Sequence, residues 1–399
     1  MKEKVRSGNT KRINPITNQR KEPINMKTKH GLTKAISSLA LVAACAIWVS
    51  SAQAQDYTLS DLGMLPGASD STGSAINNVG QVAGTSGESA FRYTKEGKVP
   101  MENVAERSMK GMHRGFGING SGLVVGDSTF GMAYSRAALF NNGIATNLGT
   151  LRGGVYSRAN GINSLGWVVG STSEKPDQAD GKAFLIRALD RSSRMIDLGT
   201  LGGAHAQAWG VNDFGFVTGN AQVGEKSEST HAFVWHSKTG MQDLGTLAGE
   251  FSYGMFISAN NHIVGYSTIS DDNDRVHAFL YDGSTMLDLG SLGGASMESD
   301  RSFALGVNVA DEVVGYSYVP VVGSAIGFPP EIQQVAFVYR NGLMMDLNEL
   351  IGSAVKRYQL HSATAINDKG QIVAVAFDRE MEAFRAVLLT PTTARLSRH

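Results

Sequence analysis

The feature that most constrains this chain is that it repeats itself. Asp197-Leu198-Gly199-Thr200-Leu201-Gly202-Gly203 returns, with small edits, at Asn147 to Gly154, Asp243 to Gly249 and Asp288 to Gly294, with reduced echoes at Asp61-Leu62-Gly63 and Asp346-Leu347-Asn348. A second landmark, a small or apolar residue followed by asparagine, marks seven units at Asn77, Asn119, Asn163, Asn212, Asn260, Asn308 and Asn367, spaced 42, 44, 49, 48, 48 and 59 residues apart. A unit near 45 residues with insertions restricts the chain to architectures in which each unit buries its apolar faces against its neighbours.

Each asparagine leads through a turn into a β-branched run, as in Asn163-Ser164-Leu165-Gly166-Trp167-Val168-Val169-Gly170. Asparagine accepts backbone hydrogen bonds just ahead of it and glycine takes positive φ, so this step reads as a hairpin between two strands. A third strand follows, at Ala90-Phe91, Ala183-Phe184, His231-Ala232-Phe233, His277-Ala278-Phe279, Ala336-Phe337 and Ala383-Phe384-Arg385-Ala386, with Arg136-Ala137-Ala138-Leu139-Phe140 as the degenerate copy. A glycine turn leads to a fourth strand ending in the Asp-Leu-Gly motif. Four short strands per unit, with no helical period after the leader, predict an all-β fold, a single β-propeller of seven four-stranded blades. A β-solenoid is the rival, but its coils repeat at roughly half this length. Forty-seven glycines among 399 residues fit a chain of many tight turns.

The seventh unit ends after its third strand, whereas Tyr57 to Leu62 matches the fourth-strand pattern and has no blade of its own. The N-terminal strand is therefore expected to complete the seventh blade. Small first-strand residues such as Ala159, Gly161, Ala206 and Ala208 are expected at the crowded axis, and the Asp-Leu-Gly-Thr-Leu-Gly-Gly segments are expected to cross from one blade to the next.

With these elements in place, the chain resembles the bacterial extracellular HAF-repeat family. His231-Ala232-Phe233 and His277-Ala278-Phe279, set between the asparagine steps and the Asp-Leu-Gly segments, carry the resemblance, which spans residues 57 to 389. It implies export and repeat architecture and no catalytic residues. Only two of the seven units keep the histidine, and the last has Val373-Ala374 where the others have Val-Val-Gly or a similar step.

Three regions are expected: a signal peptide over 1–54, with Met26 as an alternative start; the repeat propeller over 55–390; and a polar tail over 391–399. The leader has Lys27, Lys29 and Lys34, an apolar run from Ala35 to Val49, and the small residues Ala52 and Ala54 before an expected cleavage ahead of Gln55. That run is shorter than the ~20 residues of a membrane-spanning helix, so no membrane span is expected. Cys45, the only cysteine, offers lipid anchoring as the alternative to release into the periplasm or outside the cell. Residues 1–54 hold ten Lys or Arg and two acidic residues, leaving 26 basic and 34 acidic residues, a net of −8, in the remainder. A mature chain of that charge repels phosphate, which argues against nucleic acid as a partner.

Length variation lies at Ser173 to Gly181, Gln222 to Thr230, Ile269 to Val276 and Tyr318 to Gln334. In an up-and-down blade these loops share a rim with the outer-to-inner crossings, and variable loops on a rigid ring commonly carry binding sites. On that rim, Asp271, Asp272 and Asp274 offer oxygens of the kind calcium takes, about six to eight per ion. The spacing is not that of a defined calcium loop, and a solvated acidic turn is the plainer reading. Phe328, beside Pro329-Pro330, is apolar for an exposed loop and suits a partner surface or packing over its own blade. Asp197, Asp243 and Asp288 recur identically and so point to turns rather than chemistry, which needs one asymmetric constellation. No catalytic set, phosphate loop or zinc spacing is present. The expected function is a monomeric, exported binding or structural module for a protein or glycan ligand, without a cofactor; the alternative is a secreted propeller hydrolase or lyase acting on polysaccharide.

Overall fold

The computed structural model describes residues 56–96, 100–175, 181–187, 194–225, 229–270, 275–294, 298–321 and 331–392. Their strands form seven four-stranded antiparallel sheets. Six blades are continuous in sequence, spanning 72–103, 113–147, 156–197, 202–243, 252–288 and 302–346. The seventh takes three strands from 358–391 and its fourth from Tyr57–Asp61, which runs antiparallel to Ala383–Pro391 with Tyr57 opposite Pro391 and Asp61 opposite Val387. The first strand of each blade packs against that of the next, and the seventh against the first, closing a seven-bladed β-propeller through its N-terminal strand.

The repeated motifs are one interlocking device. The alanine of the His-Ala-Phe step is fully buried. Its carbonyl accepts from the leucine of the Asp-Leu-Gly motif, as in Leu289 N to Ala278 O at 2.9 Å. Its N–H donates to a serine that opens the next blade, as in Ala278 N to Ser302 Oγ at 2.8 Å, and Ser302 Oγ donates on to the Gly290 carbonyl at 2.5 Å. The same relay runs through Ser71, Ser157 and Ser252. The aspartate accepts from the glycine two residues on, as in Gly199 N to Asp197 Oδ1 at 2.9 Å, and φ of +79° explains why that residue is glycine. The phenylalanines Phe91, Phe184, Phe233, Phe279 and Phe337 are fully buried and fill the wedges between blades. The histidine closes the device, with His277 Nδ1 on Asp288 at 2.8 Å and His231 Nδ1 on Asp243 at 2.9 Å.

This device corrects the reading of the last blade. Leu62 N donates to the Ala386 carbonyl and Ala386 N to Ser71 Oγ, so the tripeptide equivalent is Arg385-Ala386-Val387, and Ala386-Val387 rather than Ala383-Phe384 holds the Ala-Phe place. Phe384 is exposed, and Arg385 takes the histidine's place, pairing with Asp61 at 3.1 Å. Val373-Ala374 also gains a reason. In the other six blades a Cβ on the second-strand glycine would lie 1.7 to 2.1 Å from a first-strand carbonyl. The seventh blade has an extra irregularity right beside this position, between Leu360 and Ser362, and there alanine takes the glycine's place.

The asparagines form a belt around the opposite rim. Asn163 Oδ1 accepts from Leu165 N and Trp167 N, shaping the hairpin, while its Nδ2 donates across the blade boundary to the Asn212 carbonyl at 2.9 Å. Equivalent links run from Asn77 to Asn119, Asn119 to Asn163, Asn212 to Ser258, Asn308 to Asn367 and Asn367 to Asn77. Ser258, not Asn260, is thus the fifth landmark. Its Oγ accepts from Asn260 N and His262 N, but the side chain is too short to cross to Asn308. That boundary is bridged instead by Asn260 Nδ2 to the Val309 carbonyl and by His262 to Asp311 at 2.6 Å.

Two further differences concern irregular positions. After Asp346 the crossing forms two short 3-10 turns, Leu347–Glu349 and Gly352–Lys356. Asn348 there ties the crossing to the first strand of the seventh blade, exchanging two hydrogen bonds with the Leu360 backbone. The loop placed at Tyr318 to Gln334 is narrower than expected, because strands extend to Pro320 and from Ile332.

Candidate functional site: the central channel

The insertion-bearing loops and the crossings do share a rim: Gly249 N donates to the Thr268 carbonyl, Ala206 N to the Gly181 carbonyl, and Val276 bridges to Arg301. Asp271, Asp272, Asp274 and Phe328 lie outside the described residues. A described cavity with room for a ligand lies along the axis, on the channel side of the first strands.

Counting back from the landmark residue of each blade separates the channel wall into levels. Next to the asparagine belt is an apolar collar of Ile76, Ile118, Ile162, Val211, Ile257, Val307 and Ile366. One residue further back the blades carry Ala75, Gly117, Gly161, Gly210, Gly306 and Ala365, and in the fifth blade Phe256. The small residues permit close approach of neighbouring strands, since a Cβ on Gly161 would lie 2.7 Å from the Trp209 carbonyl. Phe256 instead projects into the channel and lines both the recess on the belt side and the larger cavity beyond the collar. Ala159, Ala206 and Ala208, expected at the axis, are buried in the cores between blades.

Beyond the collar lies a cavity of about 400 Å³, whose wall includes Ser74, Phe116, Asn160, Trp209, Met255, Leu305 and Thr364. Among the described residues, Arg158 is the only charged side chain lining it. At the Arg158 level the seven units have Thr72, Arg114, Arg158, Gln207, Tyr253, Phe303 and Ser362, and cross-strand partners decide how each is held. Arg114 faces Asp127 and forms a two-pronged ion pair at 2.8 and 2.5 Å. Tyr253 stacks on Tyr266 and Phe303 on Tyr316, with ring centroids 4.8 and 4.7 Å apart, and Tyr266 meets Phe303 edge-on at 4.8 Å. Burial pushes the Tyr316 hydroxyl up to about 12 and raises that of Tyr266 as well, so this aromatic wall is neutral.

Arg158 faces Ser171. It lies over the Phe116 ring at 3.7 Å and near Trp209 at 6.0 Å. Among the described residues it has no hydrogen-bond or ion-pair partner, and its Nε is buried. Burial lowers its pKa to about 10 despite the nearby Asp127 carboxylate, with Arg114 acting in the same direction as burial; it remains a cation at neutral pH. Trp209 Nε1 donates to Asn220 Oδ1 and Asn160 Nδ2 to the Ala208 carbonyl, fixing both side chains.

Sequence reasoning missed these residues because it looked for what repeats. The signal was present in its complement: aligning the units on their landmarks exposes the positions where they disagree. The repeated histidines are committed to structure, His277 holding Asp288 with Nδ1 and Asp300 with Nε2, the latter at 2.8 Å. Among the described residues there is no group of three or more His, Cys, Asp or Glu placed to hold a metal ion, and no helix long and apolar enough to cross a membrane.

No known protein-family profile matches the sequence, and no curated protein matches it. Several solved structures are similar in fold. The β-propeller domain of the Trilobed protease from Pyrococcus furiosus is 8% identical, with a TM-score of 0.46, over 80% of this chain and 95% of that one. A protein provisionally called TolB from Agrobacterium tumefaciens is 11% identical, with a TM-score of 0.42, over 84% and 98%. TolB from Acinetobacter baumannii is 10% identical, with a TM-score of 0.38, over 76% and 60%.

Proposed function

We propose that this protein is an exported binding module of the HAF-repeat type whose ligand enters the central channel from the insertion-bearing rim. The observation that carries this reading is the channel wall itself. The repeated polar residues are largely consumed in holding blades together, whereas the cavity beyond the collar is lined by side chains that differ from blade to blade. A rigid ring with one asymmetric, partly apolar concavity is the usual form of a ligand site. Export is supported by the basic, apolar and small-residue succession before Gln55.

Incubating the purified mature protein with a polysaccharide panel tests the binding reading. No release of product is expected, whereas release of reducing ends would overturn the reading in favour of a hydrolase or lyase. For export, mass spectrometry of the secreted chain is expected to find Gln55 at the N-terminus; an acylated Cys45 would make the protein a lipoprotein.

A further inference from the structure

We propose that the central cavity binds a monoanionic organic acid, its carboxylate on the Arg158 guanidinium and its apolar body against Phe116, Trp209, Met255 and Leu305. The inference rests on the binding-module reading and assigns a ligand class to it.

Arg158 is the starting point, because arginines in protein interiors normally have an acceptor and a guanidinium matches a carboxylate with two parallel hydrogen bonds. The neighbouring blade shows what satisfaction looks like, since Arg114 at the equivalent position has both prongs on Asp127. Arg158 faces serine there, and ring faces, not acceptors, hold its guanidinium. Cation–π contact orients the group and leaves its in-plane donors unused. With Nε covered, the terminal nitrogens are the donors that remain for a ligand.

The charge count sets the valence of the ligand. Arg114, Arg158 and Asp127 together carry one net positive charge, and among the described residues Arg158 is the one charged side chain in the cavity lining. A single carboxylate neutralises that charge. A dianion such as a phosphate monoester would bring a second charge into an enclosure with nothing to pair it, and an unpaired buried charge is strongly unfavourable. The rest of the lining sets the body of the ligand. Besides Arg158, the described side chains there with N or O atoms are Ser74, Asn160, Trp209 and Thr364; the Trp209 N–H and one Asn160 donor are already committed, which leaves the Asn160 Oδ1 as a lone unpaired acceptor. A polyhydroxylated sugar would leave many hydroxyls unmatched, whereas an aryl or branched alkyl body fits the rings and the Met255 and Leu305 side chains. Phe256 and the Ile/Val collar form the floor. Such a carboxylate has two sources, a free small acid or the C-terminus of a peptide ending in an apolar residue.

Isothermal titration of the mature chain with 2-naphthoate and with 2-naphthylmethanol isolates the charge. The acid is expected to bind at least tenfold more tightly. Arg158→Gln is expected to reduce the acid to the level of the alcohol, leave the alcohol unchanged and keep the parental melting temperature; Arg158→Lys retains part of the preference. Equal binding of acid and alcohol to the unaltered protein, or an acid affinity indifferent to Arg158→Gln, overturns the proposal even if one of the variants fails to fold. Tighter binding of 2-naphthyl phosphate overturns the monoanion assignment. A pentapeptide ending in Phe, compared with its C-terminal amide, distinguishes the sources: a preference for the free-acid peptide over naphthoate assigns a peptide terminus, and the reverse assigns a small acid. Sugar product release would defeat the module reading while leaving the acid–alcohol comparison to stand or fall separately.

Discussion

Removing Tyr57 to Asp61 is expected to abolish the folded ring, and the structure lets the loss be sized. The strand pairs at five positions with Ala383–Pro391; about four backbone hydrogen bonds at ~1 kcal/mol net each is the ladder's share. Tyr57 is fully buried and Leu62, which follows the strand, is 4% exposed; apolar burial contributes about 1.5–3 kcal/mol for each, and the deletion removes Tyr57 outright and untethers Leu62. Asp61 also anchors the 8%-exposed Arg385 and accepts from the Tyr358 hydroxyl at 3.1 Å, and hydrogen bonds to charged groups are worth about 1.5–3 kcal/mol. The total, on the order of 10 kcal/mol, matches the entire stability of an ordinary domain, about 5–15 kcal/mol. The deletion also exposes the Ala383–Pro391 edge for pairing with other chains.

Circular dichroism melts and size-exclusion chromatography of the mature protein and the deletion provide the assay, with a permutant carrying Tyr57 to Gly63 after Pro391 as the control. The deletion should be unfolded or aggregated and the permutant monomeric and folded. Asp61→Ala, a milder cut, should lower stability by about 1.5–3 kcal/mol without unfolding the chain. A deletion that melts cooperatively within a degree or two of the parent would refute the reasoning and mean that six and three-quarter blades suffice.

The asparagine belt and the histidine clasps give further expectations. Asn212→Ala removes both the hairpin bonds to Phe214 and Phe216 and the cross-blade bond to Ser258, and urea unfolding should show a loss of about 2–3 kcal/mol, from several hydrogen bonds near 1 kcal/mol each; a loss under 0.5 kcal/mol would remove the belt from the account of ring stability. Ser258→Asn should complete the belt and raise the midpoint modestly, by about 0.5–2 kcal/mol as consensus substitutions do, and a destabilised variant would mean that the His262–Asp311 bridge cannot coexist with it. His277 is subject to burial, which disfavours its charged form, but hydrogen bonds and charge from Asp288 and Asp300 outweigh this and raise its pKa above the ordinary 6.5. A raised folded-state value means that the pair's stabilisation is complete below about pH 6.5, the unfolded value, and fades as pH rises through the folded value. The melting-temperature advantage of the parent over His277→Gln should therefore shrink from pH 6 to pH 9, and an advantage that grows over that range would reverse the assignment.

The sequence disclosed most of the architecture because propeller repeats are written in residues whose demands are local. Positive φ at Gly199, side-chain acceptance at Asn163 and alternation in the strands can each be read without knowing the neighbouring blade. The closure by Tyr57–Asp61 was readable from counting strands. Placement by tripeptide similarity failed at Phe384, because the position is defined by what Ala386 bonds to, across a chain separation of 315 residues. Asn260 failed for a related reason: serine can shape the hairpin as asparagine does, so the landmark moved by two residues without disturbing the turn. The channel was illegible because the standing of Arg158 depends on cross-strand register. Nothing local to Arg158 distinguishes it from Arg114; what distinguishes them is that one faces Ser171 and the other Asp127.

Seven similar blades around an axis make one difficulty for function, because equivalent positions face the channel at the same height and a uniform ring offers a ligand no preferred orientation. This propeller breaks the equivalence in two ways. Arg158, from the third blade, lines the cavity with Phe116 and Trp209 of the blades on either side of it, so the positive charge of the lining stands on one side of the channel. Phe256 then stands where every other blade has glycine or alanine, and it is 39% exposed although its blade neighbours are packed. Folding alone gives no reason for that residue, since the six other blades close with small side chains there and an exposed aromatic gains little from burial. Its position across the collar, lining the spaces on both sides, gives it another consequence: its ring narrows the channel between them. An axis with its positive charge on one side and an aromatic ring narrowing it below can hold one small anion in one orientation, which a symmetric tunnel of the same volume could not do.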